Sequence, residues 1–175
     1  MIVAVPEHSD LFNIVMHTIY NLPCTQFRPP LATLLDAVRV LKTYGIPVGH
    51  FVVPDTPLYN HILSEMPRLP MEVYMMAAEN KLEDLAVSSS SYLLSLQLPT
   101  VTDEMIDRMG SNYTRRLFML HVDRVATLKR LLLGPLELHV DTQECGFLQQ
   151  RELMREWAFA TANMVWRIRP GEYTD

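Results

Sequence analysis

The stretch from Leu31 to Tyr44 constrains the fold most, because it has the pattern of a helix that is packed on more than one side. Its apolar residues recur at intervals of three and four, which is the spacing of one face of an α-helix. That face consists of Leu31, Leu34, Leu35, Val38 and Leu41, widened by Ala37 and Val40. Pro30 suits the first helical position, and Gly45 can take the left-handed conformation that ends a helix. The stretch therefore predicts a packed helix inside a helical domain.

Similar spacing recurs along most of the chain and predicts seven more helices. Their expected ranges are 11–20, 57–66, 71–81, 82–96, 100–109, 113–133 and 147–167. The last of them is expected to bury Leu153, Trp157, Ala160, Met164 and Trp166.

Caps and breaks mark the ends of these helices. We expect Ser9 or Asp10 to cap the helix at 11–20, and Asp55 or Thr56 to cap the helix at 57–66. Thr100 is expected to cap the helix that ends at Met109. Residues 47–54 read as a linker with a brief extended segment. Ile2 to Val5 is rich in β-branched residues and predicts one short strand, ended by Pro6. The chain is therefore expected to be mostly α-helical.

Charge and hydropathy argue against two classes of partner. The formal net charge is −5 and there is no basic block, which disfavours nucleic acid and anionic membrane surfaces. No run approaches the ~18 apolar residues of a membrane helix. Two cysteines without a secretory leader fit a reducing compartment, so we expect the cytoplasm or the nucleus.

Reactive side chains are few and scattered. His139 and Cys145 share one loop, but a zinc site needs about four ligands and only one cysteine is near. Cys24 with His17 lacks a third group to orient the pair. Motifs for nucleotide binding or hydrolysis are missing, so no catalytic residue, metal or cofactor is predicted. Cys145 is expected to pack as a small hydrophobe, and His139 to bond the loop backbone.

Two compositional features allow both a structural and a functional interpretation. Eleven methionines are many; they fill irregular cores readily, although they could also line a pliable groove for a partner helix. Ser88 to Ser91 lie inside a predicted helix, where their hydroxyls are expected to bond back to the helix backbone rather than be phosphorylated.

Several segments resemble a known family in their order along the chain. Val5-Pro6-Glu7, Ile19-Tyr20 and Lys42-Thr43-Tyr44-Gly45-Ile46 look like the second half of a BTB/POZ domain. The stretch PMEVYMMAAENKLEDLAVSSSSYLL is similar to the helix pair that follows this domain in fungal members. The C-terminal region resembles theirs at His139, Cys145, Phe147, Gln150, Leu153, Trp157, Ala158, Trp166, Arg169 and Pro170.

The resemblance implies a truncated BTB/POZ domain in residues 1–66 and a helical extension in residues 67–175. It implies a non-catalytic protein-interaction module or adaptor, with a protein partner or self-association. The first half of the domain is absent, which argues against cullin-scaffold binding. The unpaired strand edge at Ile2, Val3 and Val5 is the expected binding edge. The alternative function is a small helical metal- or thiol-dependent enzyme that uses His139 and Cys145.

Overall fold

The computed structural model describes residues 4–168, and within that range every regular element is a helix. The α-helices are α1 (Ser9–Ile19), α2 (Leu31–Thr43), α3 (Val48–Phe51), α4 (Pro57–Glu65), α5 (Pro70–Asn80), α6 (Glu83–Ser90), α7 (Asp103–Leu132) and α8 (Phe147–Arg167). Short 3₁₀ turns lie at Thr25–Phe27, Met66–Arg68, Ser91–Ser95 and Leu98–Thr100. The mostly α-helical class is confirmed, whereas the N-terminal strand is not: Ile2 and Val3 lie outside the described residues, and Val5 is not in a strand.

The described chain forms two compact units. Unit 1 comprises residues 4–94 and Thr102–Thr114, and unit 2 comprises Ser95–Val101 and residues 115–168. The boundary expected between residues 66 and 67 falls inside unit 1, and the division into a BTB part and an extension stays a prediction. Among the described residues, no helix combines the length and the apolar character that crossing a bilayer requires.

Helix α2 lies at the centre of unit 1, where it contacts α1, α3 and α4. Its predicted apolar face is buried at Leu31, Leu34, Leu35, Ala37, Val38 and Leu41, whereas Val40 is half-buried. Pro30 is the N-cap and not the first helical residue, because its ψ of 153° is extended while its carbonyl already accepts from the Leu34 N–H. At the other end Gly45 has φ +72°. The Ile46 N–H donates to the Leu41 carbonyl at 2.9 Å and closes the helix in a Schellman motif.

Helices α5 and α6 pack against each other as the predicted helix pair. Met66, Met75 and Met76 are almost fully buried, so for these three the core interpretation is right. The serines also behave as expected. Ser88 and Ser89 donate to the carbonyls four residues earlier, each at 2.8 Å. Hydroxyls that are satisfied in this way can lie inside a helix without a further partner.

Three further local expectations are wrong. Residues 47–54 contain the helical turn α3 and not an extended segment, with the Val52 N–H donating to the Val48 carbonyl at 2.9 Å. His8 caps α1 in place of Ser9 or Asp10, because its ring nitrogen accepts from the Asp10 N–H. Thr102 caps α7 in place of Thr100, because its hydroxyl lies 3.3 Å from the Met105 N–H. The Thr100 hydroxyl donates to the Gln97 carbonyl instead.

Helix α7 is broken at Gly110, as the sequence predicts. Gly110 has φ 70° and ψ 164°, so residues 103–109 and 111–132 are two helical segments. Their junction is close to the point where the chain leaves unit 1, after Thr114.

Helix α8 has the predicted bounds but not the predicted buried face. Leu153, Ala160, Met164 and Trp166 are exposed, and Trp157 remains 38% exposed. The buried residues are Gln150 and Thr161. The apolar pattern identified which side chains could be buried, but burial also needs an opposing element. Within the described part of unit 2, other residues cover α8 only around Gln150 and Thr161.

Candidate interaction surface

The predicted binding edge lies almost outside the part of the chain that can be described. Ile2 and Val3 fall outside residues 4–168. Val5 is 39% exposed in irregular backbone. Binding through this edge therefore stays a prediction.

His139 and Cys145 occupy the predicted loop between α7 and α8. The His139 ring bonds the backbone, with Nδ1 2.7 Å from the Val140 carbonyl oxygen. The Cys145 N–H donates to the Thr142 hydroxyl at 3.0 Å, and the thiol is half-buried. The described residues bring together no group of three or more His, Cys, Asp or Glu side chains that could hold a metal ion. Both residues thus have the structural contacts expected of a loop, and their use in catalysis stays a prediction.

Cys24 forms a buried pair with His61 that sequence reasoning missed. The Cys24 Sγ lies 3.5 Å from the His61 Nδ1, and both residues are buried. His17, the partner considered from sequence, instead lies 2.8 Å from the Asn13 carbonyl oxygen and contacts the Phe27 ring edge-on. Burial raises the pKa of the Cys24 thiol, so it stays protonated at neutral pH. A protonated, buried thiol is a packing group and a poor nucleophile.

A charged cluster in unit 1 fixes the first segment of α7 against α5. The Arg108 Nε donates to Glu79 at 2.7 Å, and its Nη1 lies 3.5 Å from Glu72. The hydrogen bond to Glu79, together with the charges of both carboxylates, raises the pKa of Arg108 further above its already high value. The Tyr74 hydroxyl donates to the Tyr113 carbonyl at 2.9 Å beside this cluster. We call the cluster of Arg108, Glu79 and Glu72 the clamp. All three side chains belong to unit 1, so their contacts stabilise the fold.

An apolar groove of unit 2 lies at the C-terminal end of α7. A groove of about 160 Å³ opens there between that end, the turn that follows it and one side of α8. It is lined by Leu132, Leu133, Gly134, Pro135, Leu136, Met154, Trp157, Ala158 and Thr161. Leu133 is 58% exposed, so the groove presents apolar side chains to solvent. Lys129 and Arg130 precede it in the chain, and residues 111–132 carry five basic residues against one acidic residue.

A second apolar strip of α8 lies on another side of the helix from the groove. It contains three large side chains that are mostly exposed: Leu148 (64%), Phe159 (75%) and Trp166 (88%). Arg155 lies between them and is hydrogen-bonded to Glu152 at 2.6 Å. We call the face of α8 that carries Leu148, Arg155, Phe159 and Trp166 the outer strip.

The comparisons with known proteins identify no relative. No protein-family model, no curated protein and no solved structure matches the chain. The likeness to BTB/POZ proteins therefore stays a prediction from sequence.

The groove could have been found in part from the sequence. Gly134-Pro135 marks the end of α7, and an apolar helix face follows after the loop that ends at Gly146. A connected pair of amphipathic helices of this kind can place two apolar faces near each other. The sequence did not show that these faces remain open, because exposure depends on what else covers them.

Proposed function

We propose that this protein is a non-catalytic protein–protein interaction module, and that the groove of unit 2 binds its partner. The observation that carries the proposal is the apolar lining around Trp157, which is open to solvent at the end of α7. Concave sites with a mostly apolar lining are the usual places where apolar groups bind a folded protein. Tryptophan is also the residue type most enriched among those that dominate binding energy.

The size of the groove suggests what enters it. A volume of about 160 Å³ is close to that of cavities known to hold a benzene-sized group. One leucine- or phenylalanine-sized side chain of a partner would therefore fill it. This mode corresponds to an amphipathic helix that inserts an apolar anchor into a groove.

The charge beside the groove suggests what flanks that anchor. Arg130 is exposed and Lys129 partly exposed, just before the groove-lining residue Leu132. Cationic side chains that directly precede the groove on the same helix favour a partner with Asp or Glu beside its anchor and increase its association rate. We therefore propose an acidic amphipathic segment of another protein as the partner. An adaptor role of the kind implied by the BTB resemblance is consistent with such a site.

The test uses a random peptide library displayed on phage and selected against the full chain. We expect the selected peptides to combine an apolar anchor with acidic residues. Trp157→Ala should weaken their binding about 30-fold, since loss of a tryptophan at the centre of an interface costs about 2 kcal/mol or more. Lys129→Glu with Arg130→Glu should slow association and remove most of its salt dependence.

Phe159→Ser is the matched control, because Phe159 is an exposed aromatic residue of the same helix outside the groove. It should leave peptide binding unchanged. Failure to enrich any peptide, or equal binding by Trp157→Ala and the unchanged chain, would refute the proposed site.

A further inference from the structure

We propose that the outer strip of α8 is a self-association site, at which a second copy of this chain packs its own α8 in the antiparallel direction. The strip differs from the groove, which contains Met154, Trp157 and Thr161 on another side of the helix. Self-association and peptide binding are therefore separate properties, and each can be tested without the other.

The spacing of the strip is that of a helix that packs along another helix. With about 100° of rotation per residue, Leu148, Phe159 and Trp166 fall within roughly 20° of one another. The intervening positions at steps of four and three are Glu152, Arg155 and Ala162. These six residues follow the alternation of the two seam positions of a coiled coil over two and a half heptads.

The polar residues of the strip decide the direction. In an antiparallel pair, Leu148 lies opposite Trp166 of the second copy and Arg155 lies opposite its Phe159. The first pair is apolar, and the second places a guanidinium on an aromatic ring, which is an attractive arrangement. A parallel pair would place Arg155 against Arg155 and Glu152 against Glu152, and like charges repel at such a distance.

The Arg155 side chain is already held at the seam. Its Nη2 donates to Glu152 at 2.6 Å and to Glu156 at 3.2 Å. These bonds reduce the conformational freedom that it would lose on pairing.

The exposed area is sufficient for a weak, specific dimer. With about 200 Å² for a fully exposed large side chain, the three apolar residues of the strip present roughly 450 Å² per copy. Two copies would bury about 900 Å², and Ala162 with the stem of Arg155 would bring the total to about 1,000 Å². That is the size at which specific interfaces begin. We therefore expect a dimer that forms at micromolar concentration.

Sedimentation equilibrium of the full chain tests the association. The unchanged protein should pass from monomer to dimer as its concentration rises, and Phe159→Glu or Trp166→Glu should raise the dissociation constant at least tenfold. Phe147→Glu is the matched control, because Phe147 is 65% exposed on the same helix but about 100° away from the strip. The Phe147→Glu variant should dimerise with the dissociation constant of the unchanged protein. Circular dichroism should show equal helix content in all variants.

Cysteine cross-linking tests the direction, in a Cys145→Ser background. Glu152→Cys and Ala162→Cys chains, mixed and oxidised, should form mixed disulfides, because the two positions face each other only in the antiparallel pair. Ala162→Cys alone should not cross-link, since its two copies would lie about 15 Å apart along the axis, beyond disulfide reach. A protein that stays monomeric at millimolar concentration overturns the proposal. Efficient Ala162→Cys homodimer cross-linking overturns the antiparallel arrangement.

Discussion

Replacing Arg108 by methionine should destabilise unit 1 by about 2 kcal/mol. Methionine keeps an unbranched apolar stem and removes only the guanidinium, so lost packing contributes little. What disappears is the charge-assisted bond to Glu79 at 2.7 Å and the weaker contact to Glu72 at 3.5 Å. Side-chain exposure is 26% for Arg108 and 24% for Glu79.

The magnitude follows from this intermediate burial. Exposed ion pairs contribute about 0.2–1 kcal/mol, and breaking a buried pair costs about 3–5 kcal/mol. Loss of the ion pair between Arg108 and Glu79 should therefore lower the free energy of unfolding by roughly 1.5 kcal/mol, between these limits. Glu72 is 41% exposed and its contact is long, which adds a few tenths of a kcal/mol. For a cooperative unit of about 100 residues, the size of unit 1, a loss of about 2 kcal/mol lowers Tm by about 8–16 °C.

Urea unfolding monitored by far-ultraviolet circular dichroism measures the effect. Arg68→Met is the matched control, because Arg68 makes an equally short ion pair with Glu65, at 2.8 Å, but is 78% exposed. It should cost less than about 0.5 kcal/mol. A double-mutant cycle with Glu79→Gln should return a coupling of about 1 kcal/mol or more. If Arg108→Met costs no more than Arg68→Met, or if the coupling is near zero, the clamp does not act as described.

Two further predictions concern local backbone strain and thiol burial. Gly45→Ala should lower the free energy of unfolding in urea by about 1 kcal/mol, because φ at Gly45 is +72° although nothing lies within contact of a Cβ there. Gly49→Ala is the control: the space around its Cβ is also empty, but it lies in the helical turn α3, so the change should be neutral or slightly stabilising. Equal destabilisation by the two substitutions would contradict this account. Ellman's reagent should modify half-buried Cys145 quickly and Cys24 only on unfolding, and fast modification of both thiols in the folded protein would show that Cys24 is accessible. Because burial raises the pKa of Cys24 in the folded state, its contribution to stability is complete below the unfolded value near 9.0 and is lost as pH rises through the folded value. Cys24→Ala should remove that part of the alkaline slope, which pH-dependent urea unfolding would show.

Local signals predicted the helices well. The α2 region could be placed to within a residue because Pro30 and Gly45 bracket a complete apolar face. The bounds of α8 were equally clear, since a glycine precedes it and its helical pattern runs to Arg167. The turn at α3 was missed because a single helical turn is too short to show a period.

Long-range relations could not be predicted in the same way. Cys24 and His61 are 37 residues apart, and no local spacing marks them as a pair. Arg108 and Glu79 are 29 residues apart, and each alone looks like an ordinary charged helix residue. The exposure of Trp166 is a third case, because a helical pattern identifies an apolar side chain but not what opposes it. Such contacts depend on the tertiary arrangement, which the periodic pattern of a single sequence does not show.

The route of the chain between the two units restricts how the protein can be dissected. It passes from one unit to the other after Leu94, after Val101 and again after Thr114. A single truncation at any of these points leaves a fragment that either includes residues of the other unit or lacks residues of its own unit. A minimal fragment of unit 1 must therefore carry residues 102–114 as well as everything up to Leu94. A shortened gene that stops at Leu94 would lack Arg108 and expose the acidic side chains that it neutralises.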